Sequence, residues 1–221
     1  MVYKTTYNKH DCILKKIANT DSAQYELLQT KYLHKIMPEY TLPVYKTSHT
    51  KQHVFMLMPE YGVSLYDFMT GRGAALREFE IKQIYRKVGL ALHKLHDTAG
   101  LAHLDIKEEN ILIDPATLHP VLIDFATCRI SVPPVHCQKI HTKMVGSPYF
   151  CAPEVTGLKK AVDKNGGKDS NFHEKFSKLG FDENNDNLRN IRVKDYSKCD
   201  IYSFGVALFS SFTGDYGADI T

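Results

Sequence analysis

The feature that most constrains this chain is the polar run His103-Leu104-Asp105-Ile106-Lys107-Glu108-Glu109-Asn110, followed by two short apolar segments and closed by Asp124-Phe125-Ala126. The apolar segments, Ile111-Leu112-Ile113 and Val121-Leu122-Ile123, flank the turn signal Asp114-Pro115 and read as a hairpin. Such a hairpin sets Asn110, just before its first strand, beside Asp124, just after its second. An amide and a carboxylate are hard oxygen ligands of the kind Mg²⁺ prefers, and an acid (Asp105) and a base (Lys107) stand next to them. This is the equipment that metal-assisted phosphoryl transfer requires.

The series continues with Gly146-Ser147-Pro148-Tyr149-Phe150-Cys151-Ala152-Pro153-Glu154 and then Asp200-Ile201-Tyr202-Ser203-Phe204-Gly205. In this order the elements resemble the catalytic domain of eukaryotic-type serine/threonine protein kinases. The resemblance implies an α+β, two-lobed, protein-kinase-like fold, with a small β-rich N-lobe over residues 1–58. A hinge and a mainly helical C-lobe follow over residues 59–221. It also implies transfer of the γ-phosphoryl group of ATP to a protein Ser or Thr hydroxyl, with ATP and Mg²⁺ as cofactors. On this resemblance Asp105 orients the acceptor hydroxyl and takes its proton, Lys107 offsets charge on the transferring group, and Asn110 and Asp124 chelate Mg²⁺. Lys15 pairs with the α and β phosphates and is steadied by Glu26. Met58 gates the back of the adenine pocket and Leu112 forms its floor. Pro59 to Gly62, with Glu60 among them, form the hinge that meets the adenine edge. Lys107 so soon after Asp105, and Ser147 followed by an aromatic before Ala152, resemble the serine/threonine class more than the tyrosine class. Glu109 stands where some basophilic kinases contact an arginine upstream of the acceptor, a pairing that Arg–carboxylate geometry favours.

Elsewhere the chain supplies elements to hold such a site. Val2 to Ile17 reads as two strands joined by a polar turn at Asn8-Lys9-His10-Asp11, the second being Cys12-Ile13-Leu14 and ending in Lys15. Asn19 to Ser22 all offer N-cap oxygens, and Tyr25, Leu28, Tyr32 and Ile36 then recur at helical spacing, on a helix that also carries Glu26. Val44 begins a short β segment, and His53 to Met58 forms another, stopped by Pro59 and Gly62. Ile84, Val88, Ala91, Leu92 and Leu95 mark one buried face of a helix that ends near Gly100. Leu158 to Lys194, with Asn165-Gly166-Gly167 and the run Asp182 to Asn187, reads as a polar insertion and not a domain. Ile201 to Phe212 reads as an apolar helix.

Composition sets the outer limits. With 221 residues, 43% of them hydrophobic and 24% charged, the chain is long enough for a packed core. A net charge of +3 is too small over this length to point to nucleic acid or an anionic membrane. The expected partner is a protein substrate with a Ser or Thr acceptor; the oligomeric state is open. The five cysteines lack C-x-x-C spacing, which suits neither a zinc site nor a disulfide framework. Reduced thiols, no apolar run of membrane-spanning length and no signal-peptide pattern at Met1-Val2-Tyr3-Lys4 lead us to expect a cytoplasmic protein, with the nucleus also open.

Several residues depart from the family's pattern. Leu104 stands where many kinases carry the arginine that receives an activation-loop phosphate, so control through that arginine is not expected. Ala126 replaces a glycine, Ile13 a small alanine beside adenine, and Thr30 a less polar residue. No glycine precedes Gly62, so the glycine-rich loop over the ATP phosphates is absent, and the chain stops soon after the Ile201–Phe212 helix. Both lobes are therefore expected to be incomplete. A competing expectation follows, a pseudokinase or kinase fragment acting as a protein-binding regulatory module. The retained Lys15, Asp105, Asn110 and Asp124 weigh against it.

Overall fold

The first structural decision of the chain is a two-residue reversal at Asn8 and Lys9, both held at positive φ (51° and 65°). Two consecutive left-handed residues twist in the sense that matches paired strands, so the hairpin closes tightly. The computed structural model describes residues 1–71, 76–132, 146–147, 149–152 and 195–214. In it, β1 (Val2–Tyr7) and β2 (His10–Ala18) pair antiparallel from Tyr7↔His10 to Val2↔Lys15. The turn is thus shorter than the predicted four residues, and His10 and Asp11 already belong to β2. β3 (Lys46–His49) and β4 (His53–Pro59) complete a four-stranded sheet of order β1-β2-β4-β3. In β2, Ile13, Lys15 and Ile17 share one face, and the register sets Met58, Met56 and Val54 on that same face.

α1 (Asp21–Ile36) lies against this face, its N-terminus capped by Thr20, whose Oγ1 accepts from the Ala23 N–H at 3.3 Å. The helix is where the sequence predicts it, but three of the four residues that announce it face outward, and only Ile36 of the four packs against the core. Tyr25, Leu28 and Tyr32 are exposed, while Ala23, Glu26, Leu27, Gln29, Thr30 and Leu33 are buried. The spaced tyrosines and Leu28 therefore mark the outer side, while the inner side mixes the apolar Ala23, Leu27 and Leu33 with the polar Glu26, Gln29 and Thr30.

After β4 the chain turns at Gly62, where φ is +41° and an added Cβ would lie 1.9 Å from the Ile113 carbonyl oxygen, so no larger residue fits. β5 (Val63–Ser64), β7 (Ile111–Asp114) and β8 (His119–Leu122) form a three-stranded sheet, and β6 (Leu101–Ala102) pairs with β9 (Arg129–Ile130). The β7–β8 hairpin is the one expected from the two apolar runs. α2 (Leu65–Thr70) starts at Ser64, whose Oγ accepts from the Asp67 N–H at 3.0 Å. α3 (Glu78–His93) buries Ile84, Val88, Ala91 and Leu92, continues into a π-type turn (Lys94–Thr98) that buries Leu95, and ends at Gly100 with φ +69°. Fully burying a side chain as large as Ile84, Val88, Leu92 or Leu95 is worth about 1.5–3 kcal/mol, so this face anchors the helical part of the fold.

α4 (Ser197–Thr213) packs on α3, where Tyr85 Oη and Ser211 Oγ lie 2.7 Å apart. Its buried residues include Asp200, Ser203 and Ala207, whereas Ile201, Phe209 and Phe212 are exposed. The architecture is α+β, as expected. Among the described residues no helix is long and apolar enough to cross a membrane. Thr142, Pro153, Glu154 and the predicted insertion over 158–194 lie outside the described residues.

Candidate active site

Asp105 is the centre of a closed hydrogen-bond set. Its Oδ1 accepts from both the N–H and the Oγ–H of Ser147, each at 2.8 Å. Asn110 Nδ2 donates to Oδ2 and to the Asp105 carbonyl, also at 2.8 Å. Lys107 Nζ stands 2.7 Å from Ser147 Oγ and 3.5 Å from Asp105 Oδ2. The carboxylate is thus held in one orientation beside a cation and a hydroxyl. Ser147 reaches it because Gly146 adopts φ +102°, where an added Cβ would lie 2.3 Å from the Leu104 carbonyl oxygen.

The loop beneath is fixed by a buried acid. Asp200 is fully buried on α4 and accepts from the His103 N–H at 2.6 Å, the Leu104 N–H at 2.7 Å and His96 Nε2 at 2.8 Å. Charged acceptors make the stronger hydrogen bonds, and here two successive backbone donors point at one carboxylate. Leu104 can therefore persist at φ +65°, a region a leucine rarely adopts. His103 Nδ1 accepts from the Asp105 N–H at 3.3 Å, so its Nε2 carries the proton donated to the Ile123 carbonyl, 2.9 Å away. The imidazole ties the Asp105 loop to the strand end before Asp124.

Lys15 meets Glu26 Oε1 at 2.5 Å and Asp124 Oδ1 at 3.1 Å. Burial works to lower the proton affinity of this ammonium; the facing Asp124 and Glu26 carboxylates outweigh it, and its pKa lies above the ordinary lysine value. Asp124 itself sits at φ 65°, ψ 66°, and Phe125 behind it is buried against the His103 ring at 5.4 Å between centroids. Thr30, the polar residue on α1, turns its hydroxyl to the Glu26 carbonyl at 2.8 Å and so leaves no orphaned donor.

Two oxygens remain for a cation. Asn110 spends its amide N–H groups on Asp105 and has its Oδ1 left over, and Asp124 gives one oxygen to Lys15 while its side chain is 43% exposed. Among the described residues no group of three or more His, Cys, Asp or Glu could cage a metal ion. An amide and a carboxylate fit a hard cation whose remaining ligands come from phosphate and water.

On the sheet side, Ile13 pairs with Met58 across β2 and β4, and Met58 is buried. Leu112 is half-buried between the fully buried Ile111 and Ile113, so it projects from the opposite face of β7. Glu60 donates its N–H to the Asp11 carbonyl at 3.1 Å and meets Lys4 Nζ at 2.5 Å with its carboxylate. Its backbone N–H is therefore engaged with the sheet. Glu109 is exposed at the loop's rim, whereas Glu108 is 1% exposed and burial pushes its pKa up to about 7.

The structure thus gathers Lys15, Glu26, Asp105, Lys107, Asn110 and Asp124 into one region. Two contributors are not in the predicted set. Ser147, named only as a class marker, contacts both Asp105 and Lys107; Asp200, named only as part of a motif, organises the loop backbone. An acid inside an apolar helix was the signal for Asp200.

A profile of the protein kinase domain matches residues 1–167. Among curated proteins, the chain is similar to a probable serine/threonine-protein kinase, fhkA, of Dictyostelium discoideum, at 28% identity over 84% of this chain and 30% of that protein. It is also similar to the serine/threonine-protein kinase SBK1 of Danio rerio, at 26% identity over 96% of this chain and 50% of that protein. Myosin light chain kinase 3 of Rattus norvegicus is 36% identical over 46% of this chain and 13% of its own length. The chain spans half or less of the length of these relatives.

Proposed function

The chain belongs to the protein kinase domain family, and from that membership we propose that it is a serine/threonine protein kinase, moving the γ-phosphoryl group of Mg·ATP to a protein hydroxyl. The observation that carries this reading is the double contact of Lys15, at 2.5 Å to Glu26 and 3.1 Å to Asp124. Strand, helix and metal loop meet at one cation, next to the Asp105 cluster.

When bound, Mg·ATP supplies the electrophilic phosphorus and the cation that neutralises its oxygens. Asn110 Oδ1 and the free oxygen of Asp124 would hold that cation, and Lys15 would share its charge between Asp124 and the α and β phosphates. Ile13, Met58 and Leu112 would enclose the adenine, with the Pro59–Gly62 backbone at its edge. An incoming Ser or Thr hydroxyl would take the place that Ser147 Oγ now holds at Asp105 Oδ1, donate its proton there and stay oriented for attack. Lys107, already within reach of that hydroxyl position, offsets charge as it develops on the transferring group. Asn110 keeps the Asp105 carboxylate from rotating away. Exposed Glu109 favours an acceptor peptide with an upstream arginine.

The reading is tested by incubating the full-length protein with γ-labelled ATP, Mg²⁺ and a basic acceptor protein, then hydrolysing the product to amino acids. Phosphoserine and phosphothreonine are expected. Phosphotyrosine alone, or no label, would sink the proposal.

A further inference from the structure

α1 buries an unusual number of polar groups. Its outer side carries Tyr25, Leu28 and Tyr32, and its inner side sets Glu26, Gln29 and Thr30, all three buried, among Ala23, Leu27 and Leu33. Two of these inner polar groups are satisfied, Glu26 by Lys15 and Thr30 by the Glu26 carbonyl. Gln29 is not. Its Nε2 donates to the Cys128 carbonyl at 3.4 Å, close to the limit of a hydrogen bond, and its buried Oε1 has no donor among the described residues. Reversing the amide gives no relief, because Oε1 would then face the Cys128 carbonyl. That carbonyl already accepts from Arg129 Nη1 at 2.7 Å, so the Gln29 contact adds little for it. An apolar side chain of similar size would fill the same space without an orphaned acceptor.

We infer that Gln29 is a positioning residue that loosens the seating of α1 against the segment after Asp124, and so limits how often Glu26, one turn away, stands on Lys15. A buried acceptor without a donor raises the free energy of the seated helix alone, since water reaches the amide once α1 lifts. The helix then opens locally more often than its packing on the sheet would allow. The consequence for phosphoryl transfer rests on the kinase reading above; the seating of α1 does not.

The test uses the full-length protein and two unbranched or apolar replacements, Gln29→Leu and Gln29→Met, so that a failure of one to fold does not end it. Amide hydrogen exchange over Ala23–Leu33 is expected to slow by at least about fivefold in both, the factor that follows from removing one orphaned buried acceptor. Transfer from γ-labelled ATP, read as kcat/KM for ATP, is expected to rise, and the rise to vanish when Glu26→Gln is also present. Equal or faster α1 exchange in the variants overturns the inference. So does a higher melting temperature with unchanged transfer in an active protein, which would make Gln29 a core residue without influence on the site. Slower α1 exchange with no transfer by any of the proteins supports the inference on seating and instead removes the kinase reading.

Discussion

Replacing Glu108 by Gln changes a carboxyl that is 1% exposed and has an oxygen without a hydrogen-bond partner among the described residues. Burial raises its pKa from 4.5 to about 7. An acid whose folded pKa is raised binds its proton more tightly in the native state, so the folded protein holds more protons than the unfolded one between these two values. Stability from this group is therefore complete below about pH 4.5, declines as pH rises, and is gone above about pH 7. At about 1.4 kcal/mol per unit, the span amounts to roughly 3 kcal/mol. Gln keeps the shape of the protonated acid and cannot ionise. Urea unfolding of both proteins at pH 5 and pH 8 reads the effect as a difference, which cancels the other titrating groups. The Gln variant should gain on the parent by about 2–3 kcal/mol between the two conditions. Parallel pH dependences would refute the reasoning, since they would mean that Glu108 is solvated or partnered when ionised.

Asp200→Ala leaves the His103 and Leu104 N–H groups and His96 without their acceptor, and should cost at least about 3 kcal/mol in urea unfolding. Gly146→Ala forces the segment away from the Leu104 carbonyl and Ser147 away from Asp105, so kcat should fall by about tenfold or more while nucleotide affinity, measured by calorimetry, holds. Lys15→Met leaves Glu26 buried without its cation and should weaken Mg·ATP binding by about tenfold, read in the same titration. Thr142→Ala should alter transfer less than about twofold, because Leu104 offers no cation to a phosphate; a large loss in the radiolabel assay would contradict this.

The cluster of Asp105, Asn110 and Asp124 was legible because its spacing is local. A hairpin of apolar runs fixes Asn110 beside Asp124 whatever the rest of the chain does, and the same alternation that buries Ile111 and Ile113 aims Leu112 the other way. Lys15 was legible as a lysine on an apolar strand, but that strand does not end there: β2 continues to Ala18, paired to β4 as far as His53. α1 was legible as a helix but not in its orientation. Periodicity assumes that the buried side is purely apolar, and here Glu26, Gln29 and Thr30 share that side with Ala23, Leu27 and Leu33 because Lys15 and the segment after Asp124 lie there. The Ser147 contact depends on a backbone approach between Gly146 and Leu104 from segments far apart in sequence, which no local pattern encodes. The turn at Asn8-Lys9 was predicted two residues too long, since His10 and Asp11 are polar yet extend the ladder from the exposed end of the sheet. The partners of Glu60 were not legible, since its N–H goes to Asp11 and its carboxylate to Lys4 through a strand pairing that no local pattern announces.

The central claim is that Asp105 receives the proton of an acceptor hydroxyl. Its most direct measurement compares label transfer from γ-labelled ATP to a basic protein by the full-length protein and by Asp105→Asn, with Mg·ATP affinity measured for both. The account predicts similar nucleotide binding and a loss of transfer of about a hundredfold or more, the scale of a missing general base. Equal labelling by the two proteins would contradict it.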